Sequence, residues 1–124
     1  MTELPFMASG IIVKNYRMLI EYFNELKRMG IDPRDSYPRS EDLELVKNLA
    51  SHNKNLYDLL NELKDRIRKR VVVEAAIKAY RASTGVEPTP SEAVDEVAKL
   101  IAGWVIEIAA NLGIIKLKNI EYLR

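Results

Sequence analysis

The sequence predicts an all-α domain, a compact bundle of about four to six helices, and three observations support this fold class. Hydrophobic residues make up 48% of the 124 residues, which is enough to fill a core. Glycine and proline, which interrupt helices, occur only five times each. Apolar residues recur every three or four positions, the spacing that places them on one helix face. Residues 11–124 are therefore expected to form one helical-bundle domain, after a disordered or vector-derived leader at 1–10.

The first predicted helix covers about residues 12–29, with apolar residues at helical spacing. Gly30 is expected to end it, because glycine readily adopts the left-handed conformation found after a helix C-terminus. The loop that follows, residues 31–39, contains two prolines and two aspartates, which favour turns. The apolar face of the helix comprises Tyr16, Leu19, Ile20, Phe23 and Leu26.

A second, shorter helix is predicted to begin with Ser40 as its N-cap residue and to end near residues 51–53. Its first turn is acidic, which suits the positive end of the helix dipole. Its buried face is predicted to comprise Leu43, Val46 and Leu49.

A third helical region is predicted over about residues 54–82, and its apolar face changes sides part-way along. The second half places Val73, Ile77 and Tyr80 nearly half a turn round the helix from the first stripe. Either a straight helix packs against different neighbours at its two ends, or a kink or break lies near Arg70. The stripe of the first half comprises Leu56, Leu60, Leu63, Ile67 and Val71.

The last long helix has the clearest start signal in the chain, Thr89-Pro90-Ser91-Glu92. Threonine at the N-cap, proline at the first helical position and glutamate at the third form a capping box. The tail, residues 114–124, alternates loosely and predicts a short strand or β-hairpin. The buried face of the helix is predicted to comprise Val94, Val97, Ala98, Ile101, Val105, Ile108 and Leu112.

The chain offers poor material for catalysis, so we expect a domain that is not an enzyme and has no metal site. It contains no cysteine, which excludes thiolate chemistry, and a single histidine, His52. The five glycines form neither a phosphate-binding loop nor a dinucleotide fingerprint. Two acidic sets in first helical turns suit the helix dipole better than they suit magnesium. These sets are Glu41, Asp42 and Glu44, and Glu92, Asp95 and Glu96.

The net charge of +1 conceals two oppositely charged segments. Residues 61–81 hold seven basic side chains against three acidic ones, whereas residues 85–112 hold five acidic against one basic. Two interpretations are equally favoured: the basic segment binds the phosphates of a nucleic acid, or it packs against the acidic helix and is partly neutralised. We name its densest part the basic cluster, which comprises Lys64, Arg66, Arg68, Lys69 and Arg70.

Two further groups of residues are candidates for nucleic-acid contacts. In the 31–39 loop, Arg34 and Arg39 bracket Tyr37, which either stacks on a base or pins the loop to the core. At the start of the third helical region, Asn53 and Lys54 lie beside backbone N–H groups that favour an anion. Other aromatic residues fall in apolar stripes and are expected in the core: Tyr16, Tyr22, Phe23 and Trp104.

The overall character of the chain resembles the helix-bundle accessory domain of archaeal plasmid primases of the archaeo-eukaryotic type. The likeness rests on helical content, Lys- and Arg-rich helices and the lack of an active site. It implies a domain that binds template DNA and nucleoside triphosphates beside a separate catalytic domain. The basic cluster and the 31–39 loop would then be its contacts. No tightly bound cofactor is expected, apart from ATP or another nucleoside triphosphate with magnesium.

Residues 43–81 also resemble the helical A domain of an archaeal GINS subunit. This likeness implies a scaffold subunit that acts through protein–protein contacts. A third hypothesis is a small winged-helix regulator with residues 113–124 as its wing, although its recognition helix, residues 91–112, would be acidic. The residues that carry the GINS likeness are Leu43, Leu49, Leu56, Tyr57, Leu60, Arg66, Arg68, Lys69 and Ala75.

The predicted setting is the cytoplasm of a heat-adapted archaeal organism. The absence of cysteine suits a reducing compartment. A charged fraction of 30%, rich in Lys, Arg and Glu, is typical of heat-adapted proteins. The most apolar stretch, residues 100–112, is too short to cross a bilayer, so we expect no membrane contact. The expected partners are single-stranded or template DNA and a catalytic replication protein or domain.

Overall fold

A computed structural model of the chain describes residues 16–52 and 54–116, and the regular structure in these ranges is entirely helical. The predicted all-α bundle of four to six helices is confirmed. The predicted leader, the first residues of the first predicted helix, Asn53 and most of the predicted C-terminal hairpin lie outside the described residues. The described residues form six helices: α1 (Tyr16–Arg28), α2 (Pro33–Ser36), α3 (Ser40–Ser51), α4 (Leu56–Arg68), α5 (Val73–Thr84) and α6 (Pro90–Asn111).

The central helix of the bundle is α6, and α1, α3, α4 and α5 all pack against it. Residues 101–109 are buried, and the side chain of Trp104 is fully inaccessible to solvent. The start of α6 is the predicted capping box. Thr89 Oγ1 accepts the Glu92 N–H at 3.1 Å, and the Glu92 carboxylate accepts the Thr89 N–H at 2.9 Å.

The predicted buried faces of two helices each include one exposed residue, Val73 in α5 and Leu112 in α6. In α5, Val73 is 46% exposed, whereas Ile77 and Tyr80 are partly buried and pack against the core. Both α1 and α6 pack against α5, and small side chains let helix axes approach closely, so a stripe of alanines forms the fully buried part of its face. In α6, Leu112 is 64% exposed because the helix has already ended at Asn111. The alanine stripe of α5 comprises Ala75, Ala76 and Ala79.

The third helical region is broken, as one of its two sequence interpretations required. Helix α4 ends at Arg68 and α5 begins at Val73, with Ile67 and Val71 buried at the junction. The Arg70 N–H donates to the Ile67 carbonyl at 2.8 Å and closes a final turn. The basic cluster therefore covers the end of α4 and the first two residues of the junction between α4 and α5.

The 31–39 loop contains one short helix, α2, which begins at Pro33 after the N-cap residue Asp32. Helix α3 then begins at Ser40 with Arg39 as its N-cap residue, so the prediction of Ser40 as the N-cap is wrong by one position. The Asp42 carboxylate accepts the Arg39 N–H at 2.9 Å. This bond satisfies a backbone donor at the start of the helix, which a serine at position 40 was expected to do.

Candidate functional site

The 31–39 loop and the end of α4, two separate candidates in the sequence, meet at one end of the bundle. The Tyr37 hydroxyl donates a hydrogen bond to the Arg70 carbonyl oxygen at 2.9 Å. The Arg70 guanidinium carbon lies 5.4 Å from the centroid of the Tyr37 ring, within range of a cation–π contact. Arg39 and Arg66 also share one partner, the carboxylate of Glu41. The two predicted features therefore form a single region.

Tyr37 belongs to the core of the bundle. Its side chain is 1% exposed, and its ring centroid lies 6.1 Å from that of Phe23 and 6.2 Å from that of Tyr22. The prediction that Tyr37 stacks on a base is therefore wrong, because the ring is not accessible to a ligand. The alternative prediction, that Tyr37 pins the loop to the core, is confirmed.

Arg70 is likewise committed to an internal contact. Its guanidinium donates two hydrogen bonds to Asp42, from Nη1 to Oδ1 at 2.9 Å and from Nη2 to Oδ2 at 2.7 Å. The side chain of Arg70 is 15% exposed, and that of Asp42 is 0% exposed. The prediction of Arg70 as a nucleic-acid contact is corrected, because its guanidinium is largely buried and holds the Asp42 carboxylate with two hydrogen bonds.

The charge state of Asp42 follows from this pairing. Burial by itself raises the pKa of the Asp42 carboxyl. Hydrogen bonds from Arg70 and from the Arg39 N–H, together with the charge of Arg70, outweigh burial and lower the pKa below its ordinary value of 3.8. Sequence reasoning interpreted Asp42 as a helix-dipole partner and missed its role as a buried counter-ion. No local pattern signals that role, because Arg70 lies 28 positions away.

Two exposed arginines, Arg39 and Arg66, are only loosely paired. Their guanidinium nitrogens lie 3.6 and 3.3 Å from the Glu41 carboxylate, and Arg66 Nε lies 3.7 Å from Asp42 Oδ1. Exposed ion pairs contribute about 0–1 kcal/mol to stability. Either arginine can therefore exchange its carboxylate for another anion at low cost.

Lys64 and Arg68 face the start of α6. Both lie near Asp95 Oδ1, at 3.2 Å for Lys64 Nζ and 3.7 Å for Arg68 Nε. The sequence interpretation that the acidic last helix neutralises part of the basic cluster is confirmed. These two cations are directed towards α6, although Asp95 is 44% exposed and the ion pairs add little stability.

Of the predicted nucleic-acid contacts, Arg34 and Lys69 have the greatest freedom. Both are exposed, and neither forms an ion pair with another residue that the structure describes. The N-terminal turn of α4, predicted as an anion site near Asn53 and Lys54, is already capped. There the Asn55 side chain accepts the Asp58 N–H at 2.8 Å. We name the exposed cations of the 31–39 loop and of the end of α4 that do not face α6 the basic surface, which comprises Arg34, Arg39, Arg66 and Lys69.

The remaining candidates for catalytic or metal chemistry stand apart from one another. His52 is exposed at the C-terminus of α3, and its Nδ1 lies 2.7 Å from the Asn48 carbonyl oxygen. Within residues 16–52 and 54–116, no three His, Asp or Glu side chains are placed to hold a metal ion. The acidic set of α3 is divided, since Asp42 is buried against Arg70 while Glu41 is exposed.

The winged-helix hypothesis does not fit the position of its recognition helix. Residues 101–109 of α6 are buried in the centre of the bundle. A recognition helix must present its side chains to a DNA groove, and α6 has no such face over these residues. Most of the proposed wing lies outside the described residues.

No protein-family model, curated protein or solved structure matches this chain. In the part of the chain that the structure describes, every helix is too short or too polar to cross a membrane. A functional assignment therefore rests on the chemistry of the surface itself.

Proposed function

We propose that this domain binds nucleic acid through phosphate contacts at the basic surface, as a non-catalytic accessory module of a DNA-replication enzyme such as a primase. The observation that supports this most is the contact between the 31–39 loop and the end of α4. It brings the loop that carries Arg34 and Arg39 against the end of α4, which carries Arg66 and Lys69, and all four cations are exposed. Guanidinium and ammonium groups that bind successive phosphates release counterions, which is the main source of sequence-independent affinity.

An acidic neighbour neutralises part of the positive charge of the basic surface but leaves its cations accessible to phosphate. Glu41 is the exposed carboxylate nearest to Arg39 and Arg66, at 3.6 and 3.3 Å. A phosphate offers stronger acceptor oxygens and displaces an exposed carboxylate at little cost. With few phosphate contacts and a near-neutral chain, we expect a modest affinity, with a Kd of about 10–100 μM at physiological salt.

A nucleoside triphosphate carries anionic phosphate oxygens, as the phosphodiesters of a nucleic-acid backbone do. The basic surface is therefore also the proposed contact for ATP or another nucleoside triphosphate with its magnesium. The likeness to primase accessory domains supports this context, in which template and nucleotide lie beside a separate catalytic domain. The cytoplasmic setting is part of the same proposal. Base stacking by Tyr37 is not, because that ring is buried.

A protein–protein scaffold is the second candidate function, and the internal pairing of the basic cluster favours it. Asp42 and Asp95 hold Arg70, Lys64 and Arg68 in contacts between helices. If the basic cluster serves only to stabilise packing between helices, the domain binds its partners through other surfaces, as the likeness to GINS subunits implies. The two candidates differ in whether removal of exposed cations changes the affinity for nucleic acid.

Fluorescence anisotropy with a short labelled DNA, in single-stranded and duplex form, tests the proposal over a range of salt concentrations. For three to four phosphate contacts we expect the logarithm of affinity to fall against the logarithm of salt with a slope of about −2 to −3 for the single strand and about −3 to −4 for the duplex. The variant Arg34→Ala, Arg39→Ala, Lys69→Ala should bind at least about tenfold more weakly, with a slope near −1.

The matched control removes the same positive charge from α5 and α6 through Lys78→Ala, Arg81→Ala and Lys99→Ala, three exposed positions. Its affinity should stay within about twofold of the wild type if position matters more than total charge. The proposal fails if the wild type shows no salt-dependent binding, or if both triple variants lose affinity equally. Concentration-dependent assembly in sedimentation would then favour the scaffold.

A further inference from the structure

We propose that Tyr37 is a positioning residue of the basic surface: its hydroxyl, relayed through Tyr22, fixes the 31–39 loop against the junction of α4 and α5. This inference rests on the function proposed above. Tyr37 makes no contact with nucleic acid in this scheme. It holds two cationic segments in one geometry, so that both bind the same stretch of phosphate backbone.

Two buried hydroxyls form a one-way chain of hydrogen bonds between the loop and the junction. The Tyr37 hydroxyl donates to the Arg70 carbonyl at 2.9 Å, which commits its single proton. The Tyr22 hydroxyl, 3.0 Å away, must therefore donate to the Tyr37 oxygen. The Val72 N–H donates in turn to the Tyr22 oxygen at 3.1 Å. Each hydroxyl thus donates once and accepts once.

This chain supplies partners to backbone groups at a break between helices. Arg70 and Val72 lie between α4 and α5, where the regular helical partners of the backbone are lost. Val72 is the N-cap residue of α5, and its apolar side chain makes no capping bond. A polar backbone group is costly to bury without a partner. The Arg70 carbonyl and the Val72 N–H therefore require the two tyrosine hydroxyls as partners, and these bonds hold the 31–39 loop against the junction.

Both hydroxyls keep their protons at neutral pH. Burial raises the pKa of Tyr22 and of Tyr37 above the ordinary tyrosine value of 10.0, and the neighbouring Tyr22 raises that of Tyr37 further. Because the native pKa values are raised, the stabilisation that this chain of hydrogen bonds gives the fold is fully present below pH 10. It is lost only as the pH rises beyond that value. The chain of hydrogen bonds is therefore intact at the neutral pH at which nucleic-acid binding is measured.

A second set of contacts ties the same loop to α4. The Arg70 guanidinium lies 5.4 Å from the Tyr37 ring centroid while it holds Asp42. Asp42 also accepts the Arg39 N–H at 2.9 Å, which fixes the end of the loop. Because the loop is ordered before binding, its arginines lose less conformational entropy when they meet phosphate.

The test removes the Tyr37 hydroxyl and keeps its ring, through Tyr37→Phe. The matched control is Tyr57→Phe, the same chemical change at a side chain that is 65% exposed. In the anisotropy titration described above, Tyr37→Phe should weaken binding of the labelled DNA about three- to tenfold at low salt and flatten the salt dependence. Tyr57→Phe should bind like the wild type.

A double-mutant cycle separates positioning from a general loss of structure. In a background that carries Arg34→Ala and Arg39→Ala, Tyr37→Phe should change the affinity by less than about twofold, because the loop no longer has cations to position. An equal loss of affinity in both backgrounds overturns the inference. So does an unchanged affinity of Tyr37→Phe when the loop arginines are present.

Two further outcomes are distinguished by the circular dichroism of Tyr37→Phe and by the binding of DNA to the wild-type protein. If Tyr37→Phe lowers the helical signal, Tyr22→Phe takes its place. This variant removes the link from Tyr37 through Tyr22 to the Val72 N–H and keeps the bond from Tyr37 to Arg70, so a smaller loss of affinity is expected, again only when the loop arginines are present. An unchanged affinity, or an equal loss without the loop arginines, overturns the inference. If the wild-type protein does not bind the DNA at all, the proposed function is overturned, and the positioning role with it. If it binds and the cycle shows no coupling, only the positioning role is lost.

Discussion

Asp42 and Arg70 form a buried ion pair in which both carboxylate oxygens accept a guanidinium N–H. Desolvation of two charges offsets much of their attraction, so such a pair adds little net stability over an apolar contact of equal volume. Removal of one partner is different, because the other charge then stays in a poorly solvated position. The pair therefore fixes where the end of α4 lies against the start of α3.

We expect Asp42→Asn to lower the free energy of unfolding by about 2–3 kcal/mol at pH 7. The matched control is Glu41→Gln at the preceding residue. Loss of its exposed ion pairs should lower the free energy of unfolding by about 0–1 kcal/mol. Urea denaturation followed by circular dichroism gives both values.

The difference between wild type and Asp42→Asn should also depend on pH. The native pKa of Asp42 is lowered, so its stabilising effect is present above the ordinary value of 3.8 and is lost as the pH falls through the native pKa. The two proteins should therefore converge in stability in strong acid. A difference that stays constant from pH 7 to pH 2 would show that the charge of Asp42 does not carry the effect.

At the scale of elements, helix boundaries follow local chemistry, and the sequence predicts most of them. Thr89 and Glu92 start α6 through bonds within one turn, and Gly85 ends α5 with a left-handed φ of +74°. Buried faces depend on neighbours that are distant in sequence. The apolar pattern of α5 predicts Val73, Ile77 and Tyr80 as core residues. The fully buried residues are the alanine stripe, because α5 packs against both α1 and α6.

The same contact makes the alanine stripe intolerant of larger side chains. Ala76→Leu should lower the free energy of unfolding by about 1–3 kcal/mol, because the added methyl and methylene groups have no room between packed helices. Val73→Leu, which enlarges an exposed side chain of the same helix, should change it by less than about 0.5 kcal/mol. Thermal or urea unfolding distinguishes the two. Equal effects would mean that α5 does not pack closely through Ala76.

At the scale of the whole molecule, the sequence locates the charges but not their partners. Arg34, Arg39 and Lys69 are exposed as the nucleic-acid interpretation requires. Arg70 and Tyr37 are instead taken up by side chains and backbone groups from other elements. Those partners lie 28 and 33 positions away, so no local spacing rule reveals them. The pairing of the basic segment with α6 was predictable only as a balance of opposite net charges.

The nucleic-acid hypothesis has a direct physical test in NMR spectroscopy of the isotope-labelled protein with short unlabelled DNA at low salt. We expect the amide signals of Arg34, Arg39, Arg66 and Lys69 to shift on titration, to recover when salt is added, and to move more than those of α5. A complete absence of shifts at low salt would contradict the proposed interface, and so would shifts confined to α5 and α6.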